Sequence, residues 1–217
     1  MRPAAAMPWQ EKMTSDSERS AAKASPVARA LAEAAASLAE VSGELATDAG
    51  PALERIVAGC ADALEAGNKL MLAGNGGSAA QCQHLATELT CRFTADRDPY
   101  AAVALTTDTS FLTACANDYS FADVFARQVE AIGGVGDALL LLSTSGRSEN
   151  VIRAARLAGG RGIATYAFTG RVGGPLAEAC DASVQVPADD SARIQELHLL
   201  LGHVLCGAIE ARLGGFR

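Results

Sequence analysis

Lys69-Leu70-Met71-Leu72-Ala73-Gly74-Asn75-Gly76-Gly77-Ser78 decides how this chain folds. An apolar run passes straight into a glycine-rich loop that ends in a hydroxyl. The arrangement recurs where Ala138-Leu139-Leu140-Leu141-Leu142 leads into Ser143-Thr144-Ser145-Gly146-Arg147-Ser148. Short runs that are apolar on both faces read as strands of a sheet covered on both sides. Glycines let main-chain N–H groups come close to a ligand, and hydroxyls add side-chain donors. The helix expected after each loop adds free N–H groups and the positive end of a dipole. Neither loop has the lysine of a P-loop or the G-x-G-x-x-G spacing of a dinucleotide site. The pair therefore reads as an anion site for a small phosphorylated molecule, not for a nucleoside triphosphate or a dinucleotide.

Outward from these loops, strands and helices alternate. Strands are expected at 69–73, 101–105, 137–142, 162–168 and 182–186. Helices are expected at 78–93, 109–116, 121–132, 148–158, near 174–180 and at 191–213. This alternation predicts an α/β fold, a five-stranded parallel doubly wound sheet, in which ligands bind at the carboxyl ends of the strands. Both loops leave from such ends and are expected to converge. Two helices, 27–47 and 51–66, precede the first strand and either cover an edge or build an oligomer interface. Residues 1–25 mix charges, Ser and Pro without periodicity and predict a disordered or loosely attached extension. Residues 26–217 then form one domain.

The 217 residues carry a formal charge of -7, which argues against nucleic acid as a main partner. No apolar run approaches the ~20 residues of a membrane span, and Glu11, Lys12 and Asp16 follow too soon for a secretory signal. A cytoplasmic protein with no membrane partner is expected. The six cysteines form no C-x-x-C pair and read as small hydrophobes in a reducing compartment.

The helix after the first loop carries His84, Glu88 and Arg92 at i, i+4 spacing, with Gln81 close by. The stripe reads either as a solvated face with a Glu–Arg pair or as two ligands, His84 and Glu88, of one divalent metal. In the last helix Leu197, Leu199, Leu200, Leu201, Val204, Leu205 and Ile209 surround the axis, so it is expected to be buried all round. It nevertheless carries Gln195, Glu196, His198 and His203. Either the histidines are satisfied in the core, or some of these side chains meet the site. Glu196 and His203 are nearly superposed on an ideal helix, while Gln195 lies about 80° from His203. Asp108 reads as a helix N-cap, and Asn117-Asp118 as a turn between helices.

Six motifs occur in order: Gly74-Asn75-Gly76-Gly77-Ser78; His84-x-x-x-Glu88-Leu89-Thr90-x-Arg92; Ala116-Asn117-Asp118; Phe125-Ala126-Arg127-Gln128; Ser143-Thr144-Ser145-Gly146; and Ala192-Arg193-Ile194-Gln195-Glu196-x-His198-x-x-x-x-His203. On these, the chain from about residue 28 to 213 resembles the sedoheptulose-7-phosphate isomerases (phosphoheptose isomerases) of the sugar isomerase (SIS) domain family. The resemblance implies a flavodoxin-like sheet and a homotetramer with active sites at subunit interfaces. It implies conversion of sedoheptulose 7-phosphate to D-glycero-D-manno-heptose 7-phosphate, a step of heptose biosynthesis. By the same resemblance Ser78, Ser143, Thr144, Ser145 and Ser148 hold the phosphate. Asn75, Gly76, Gly77, Arg92, Asn117, Asp118 and Gln195 complete the substrate site. Glu88 and His203 are the acid–base pair, and zinc is held by His84, Glu88, Gln195 and His203. A histidine on zinc is a poor general base, so Glu88 is favoured as the principal one, with His198 supporting or packing. Arg147 departs from the usual Asn of the family's Ser-Thr-Ser-Gly-Asn-Ser loop and either adds charge to the phosphate site or points to solvent. The competing reading is a noncatalytic SIS protein that binds a sugar phosphate or a partner protein. A sugar-phosphate sensor is disfavoured, because residues 1–66 do not look like a DNA-binding domain.

Overall fold

The computed structural model describes residues 25–214. The expected extension, Ser25 apart, lies outside the described residues. Two compact units divide between Glu40 and Val41. The elements are α1 (Pro26–Asp48), α2 (Gly50–Glu65), β1 (Leu70–Gly74), α3 (Gly77–Thr90), β2 (Ala102–Ala104), α4 (Thr109–Asp118), a 3-10 turn (Phe121–Asp123), α5 (Ala126–Ile132), β3 (Ala138–Ser143), α6 (Glu149–Gly159), β4 (Ala164–Gly170), α7 (Gly174–Glu178), β5 (Ala182–Val186) and α8 (Ser191–Leu213).

The five strands form one parallel sheet in the order β2-β1-β3-β4-β5. From β1 the chain goes to β2 on one side and then returns to β3 on the other. The crevice between β1 and β3 is thus the topological switch point. Their register, Leu70↔Ala138 through Gly74↔Leu142, brings both loops out at the same level. Every residue of β1 and β3 is buried, so both faces need cover. On one face Met71, Ala73, Leu139, Leu141 and Ala167 share a core with Val129 of α5 and Val151 and Ala155 of α6. The other face carries Tyr166 and Phe168. A Cβ on Gly59 of α2 would strike the Tyr166 hydroxyl, and the Phe168 ring lies 6.1 Å from that of His198 on α8. Helices α2 and α8 therefore cover this second face.

Three expectations need correction. The first-loop helix ends at Thr90, not at 93, so Arg92 falls outside the His84–Glu88 stripe and lies exposed beyond it. The segment 121–132 is a 3-10 turn started by Ser120, followed by a separate helix α5. Helix α8 spans the expected residues but is not buried all round. Leu200 and Val204 are 47% and 48% exposed, and Val204 lines an apolar groove of about 470 Å³ against Leu53 and Val57 of α2. Of the cysteines, Cys60, Cys82, Cys115 and Cys206 are buried, Cys180 is half-buried, Cys91 is exposed, and all are free. No helix among the described residues is long and apolar enough to cross a membrane.

One buried ion pair ends α3 and ties it to α8. Arg97 and Glu210 have side chains only 2% and 4% exposed, and Arg97 Nε donates to Glu210 Oε1 at 2.9 Å. The carboxylate also accepts from Phe93 N, Thr94 N, Thr94 Oγ1 and Ala95 N. The guanidinium donates to the Leu89 and Glu88 carbonyls at 2.9 and 2.8 Å. Those carbonyls have no partner within the helix, and a cation there also opposes the negative end of the dipole. Burial alone would raise the Glu210 pKa. The hydrogen bonds from Thr94, Phe93 and Ala95 outweigh it and hold the group down at about 2, against an ordinary 4.5. Its stabilising contribution is complete above about pH 5 and disappears as pH falls toward the folded-state value. Stability measured by urea denaturation should therefore fall more between about pH 5 and 3 in the wild type than in Glu210→Gln, which starts lower and has no carboxyl there to protonate.

Candidate active site

The two loops meet as expected, through a contact the sequence did not announce. The side-chain amides of Asn75, in the first loop, and Asn150, in the first turn of α6, hydrogen-bond reciprocally at 2.9 Å in each direction. Asn150 is buried, and its Oδ1 also accepts from Val151 N. The only signal for it was a polar residue on the apolar side of an amphipathic helix. Ser78, the second residue of α3, is 3% exposed, and its N–H bonds Asn75 O. Ser143 is buried, and its Oγ lies 3.4 Å from Ser148 Oγ. Thr144 is half-buried. Ser145 is exposed, with its Oγ accepting from Arg147 N. Arg147 lines a shallow groove of about 220 Å³ with Thr144, Ser145 and Arg171.

Gly146 allows the second loop its turn. Its φ is +62°, and a Cβ there would lie 1.8 Å from the Gly173 carbonyl oxygen. Gly76 also has a positive φ, +55°, at the N-cap of α3. Gly77 serves another purpose. A Cβ on it would fall 2.6–2.9 Å from the Gln195 side-chain amide, so that amide lies over the first loop. Gln81 Nε2 holds the same stretch of α8 by donating to Gln195 O at 2.6 Å.

Deeper along the two helices three side chains meet. His84 Nε2 and His203 Nε2 are 2.9 Å apart, and Glu88 Oε1 is 3.5 Å from His84 Nε2. Glu88 is 20% exposed and His84 43%. The Phe93 ring stacks on His203, with centroids 5.6 Å apart and planes at 24°. At that separation an N–H on one Nε2 can donate to the other, the direction set by the tautomer. His198 takes no part. It is fully buried beside Phe168, and burial, only partly offset by the Thr169 main chain, lowers its pKa to about 4. It packs as a neutral ring.

Other expected residues take structural positions in the single chain. Asp108 caps α4 by accepting from Phe111 N. Asn117 and Asp118 are exposed in the last turn of α4, not in a loop after it, with Asn117 Nδ2 donating to Asp118 Oδ1. Gln128 holds the Leu105 carbonyl after β2, and Arg127 lies 3.9 Å over the Tyr119 ring. Phe93, which stacks on His203, and the Arg97–Glu210 pair that holds its loop were not anticipated. They gave no periodic signal.

A family model described as SIS domain matches residues 29–170. The chain belongs to the SIS domain family. This SIS protein is 49% identical over 158 residues to the phosphoheptose isomerase of Paramagnetospirillum magneticum, covering 73% of this chain and 82% of the relative. It is 48% identical over 184 residues to that of a Bradyrhizobium species, covering 85% and 91%. The structure of phosphoheptose isomerase GmhA from Neisseria gonorrhoeae superimposes with a TM-score of 0.80 at 40% identity, over 84% of this chain and 98% of that one. Within the family the chain groups with enzymes, which removes the reason for a noncatalytic reading.

Gly146→Ala combines an unfavourable φ with a main-chain clash. It should destabilise the protein by more than about 2 kcal/mol in urea denaturation. Gly159→Ala, where a Cβ meets nothing within 4 Å, should be neutral or mildly stabilising.

Proposed function

We propose that the protein is an aldose–ketose isomerase that converts sedoheptulose 7-phosphate to D-glycero-D-manno-heptose 7-phosphate for heptose biosynthesis. The observation that carries the reading is the meeting of His84, Glu88 and His203 on the two helices, α3 and α8, that also flank the first anion loop. The relatives' name, phosphoheptose isomerase, and their identity to this chain support a phosphorylated heptose as substrate.

The chemistry follows from the groups present. A proton leaves C1 of the ketose, and its electron pair forms the C1–C2 double bond of an enediol while charge moves onto the C2 oxygen. Protonation of that oxygen completes the enediol, and loss of the O1 proton with proton return at C2 gives the aldose. The steps need a base, an acid and stabilisation of the developing oxyanion. Glu88 takes the C1 proton, and His203 is its acid–base partner. Ser78, Ser143, Thr144, Ser145 and Ser148 hold the phosphate with the amides of Gly76 and Gly77. Asn75, Arg92, Asn117, Asp118 and Gln195 contact the sugar.

Zinc fits the donors in type: two imidazoles, a carboxylate and the amide oxygen of Gln195. His84 Nε2 and His203 Nε2 already face each other at 2.9 Å, whereas bonds of about 2.0–2.1 Å in a tetrahedral site need them roughly 3.3–3.4 Å apart. For the two imidazoles a shift of a few tenths of an ångström separates the two arrangements. Among the described residues no group of three or more His, Cys, Asp or Glu is already spaced to hold a metal ion. His84, Glu88, Gln195 and His203 would hold the zinc, which would polarise the sugar oxygen when bound.

The enzyme works in the cytoplasm as a homotetramer with its sites at subunit interfaces. Six free cysteines agree with a reducing compartment, and the exposed apolar edge at Leu200 and Val204 agrees with a covered face.

The test is incubation of purified protein with sedoheptulose 7-phosphate, with and without added zinc, following the aldose by NMR. Aldose formation is expected, and its absence in both conditions overturns the substrate. Glu88→Gln should lower kcat by at least about 10²-fold with an unchanged melting temperature. Near-normal activity would remove Glu88 as the base.

A further inference from the structure

We propose that Arg97 and Glu210 are positioning residues for the His84–Glu88–His203 cluster, acting on His203 through Phe93 and on Glu88 through the end of its helix. The inference rests on the isomerase reading above, because it assigns that cluster its chemical role.

The geometry runs in two branches from one buried ion pair. In the first, Arg97 donates to the Glu88 and Leu89 carbonyls, fixing the last turn of α3, which carries Glu88. Tyr100 N also donates to the Leu89 carbonyl, and the Tyr100 ring lies 3.9 Å from the guanidinium. In the second branch, Glu210 Oε1 accepts from Phe93 N at 2.9 Å, which fixes where the Phe93 side chain leaves the loop. That ring stacks on His203 and also covers Gly207, where a Cβ would lie 3.4 Å from Phe93 Cε1. His203, Gly207 and Glu210 follow one another at i, i+4 and i+7 along one face of α8. Glu210 thus anchors the loop, the loop presents Phe93, and Phe93 covers one face of the imidazole.

A merely structural ion pair would not need this arrangement. A buried carboxylate with five hydrogen bonds and a guanidinium with three carbonyl partners leave neither group free to move. Burying such a pair contributes little net stability compared with apolar packing, and its better-attested use is to fix one register. Here the register is that of α3 against α8, the two helices whose side chains must meet within hydrogen-bond reach. Displacement by about 1 Å at such a site costs up to roughly 10²-fold in rate.

The full-length protein and its Phe93→Leu, Phe93→Tyr and Arg97→Lys variants are compared by steady-state kinetics with sedoheptulose 7-phosphate, by melting temperature, and by NMR of the His203 imidazole. Phe93→Leu should lower kcat about tenfold or more with KM changed less than about twofold, because the phosphate loops are untouched. Its melting temperature should stay within a few degrees, and the ring-current shift on the His203 protons should vanish. Phe93→Tyr should restore both kcat and that shift. Arg97→Lys keeps the charge but loses the fork. It should show the same kcat loss, with whatever stability it loses read separately from its melting curve. Unchanged kcat in Phe93→Leu, a kcat loss that comes with a melting temperature lowered by more than a few degrees, or His203 resonances that do not move would each overturn the proposal. If the wild type does not turn over the sugar phosphate, the isomerase reading fails. The imidazole resonances of Phe93→Leu then decide by themselves whether Phe93 places His203.

Discussion

The register between β1 and β3 is the constraint on which the rest of the molecule depends. Both strands are buried along their whole length, so their polar groups must be paired by neighbouring strands, and a slip would leave them unsatisfied. With Gly74 beside Leu142, two loops rich in N–H and hydroxyl groups leave the sheet side by side. The Asn75–Asn150 amide pair then ties them across the crevice.

The two helices that carry the reactive groups are held at both ends. At the loop end, Gln81 binds the α8 main chain, and Gly77 leaves room for the Gln195 amide. At the far end, Arg97 and Glu210 lock the last turn of α3 to α8. Between these two fixings lie His84, Glu88 and His203. His84 is 43% exposed, so in the single chain the cluster reaches the surface. His198, one turn from Gln195, is shut in against Phe168 and stays neutral. Two histidines five residues apart on one helix thus have opposite surroundings, and only His203 meets His84.

Much of the fold was legible because its signals are local. Apolar runs such as Leu139–Leu142 declare buried strands, and the glycines and hydroxyls after them declare loops at carboxyl ends. Helix ends were less legible. Helix α3 stops at Thr90 because Arg97 and Tyr100, seven and ten residues further on, take carbonyls that another turn of helix would have used. Helix α8 carries leucines all round, yet part of its surface is bare in one chain. Composition records that a face is apolar, not whether the same chain covers it. Of the candidate site, the loops and the His84–Glu88 stripe could be read from spacing, while Asn150, Phe93, Arg97 and Glu210 could not.

The sequence by itself determined the order of strands and helices, the parallel sheet and the two glycine- and hydroxyl-rich loops at its carboxyl edge. Each of these follows from periodicity and turn chemistry within about twenty residues. The tertiary structure alone decided that His84 meets His203, which lies 119 residues away. It alone decided that a carboxylate near the end of α8 organises the loop after α3. Such meetings depend on how two helices cross on one face of a sheet. That crossing is set by packing over the whole domain, which no local pattern records.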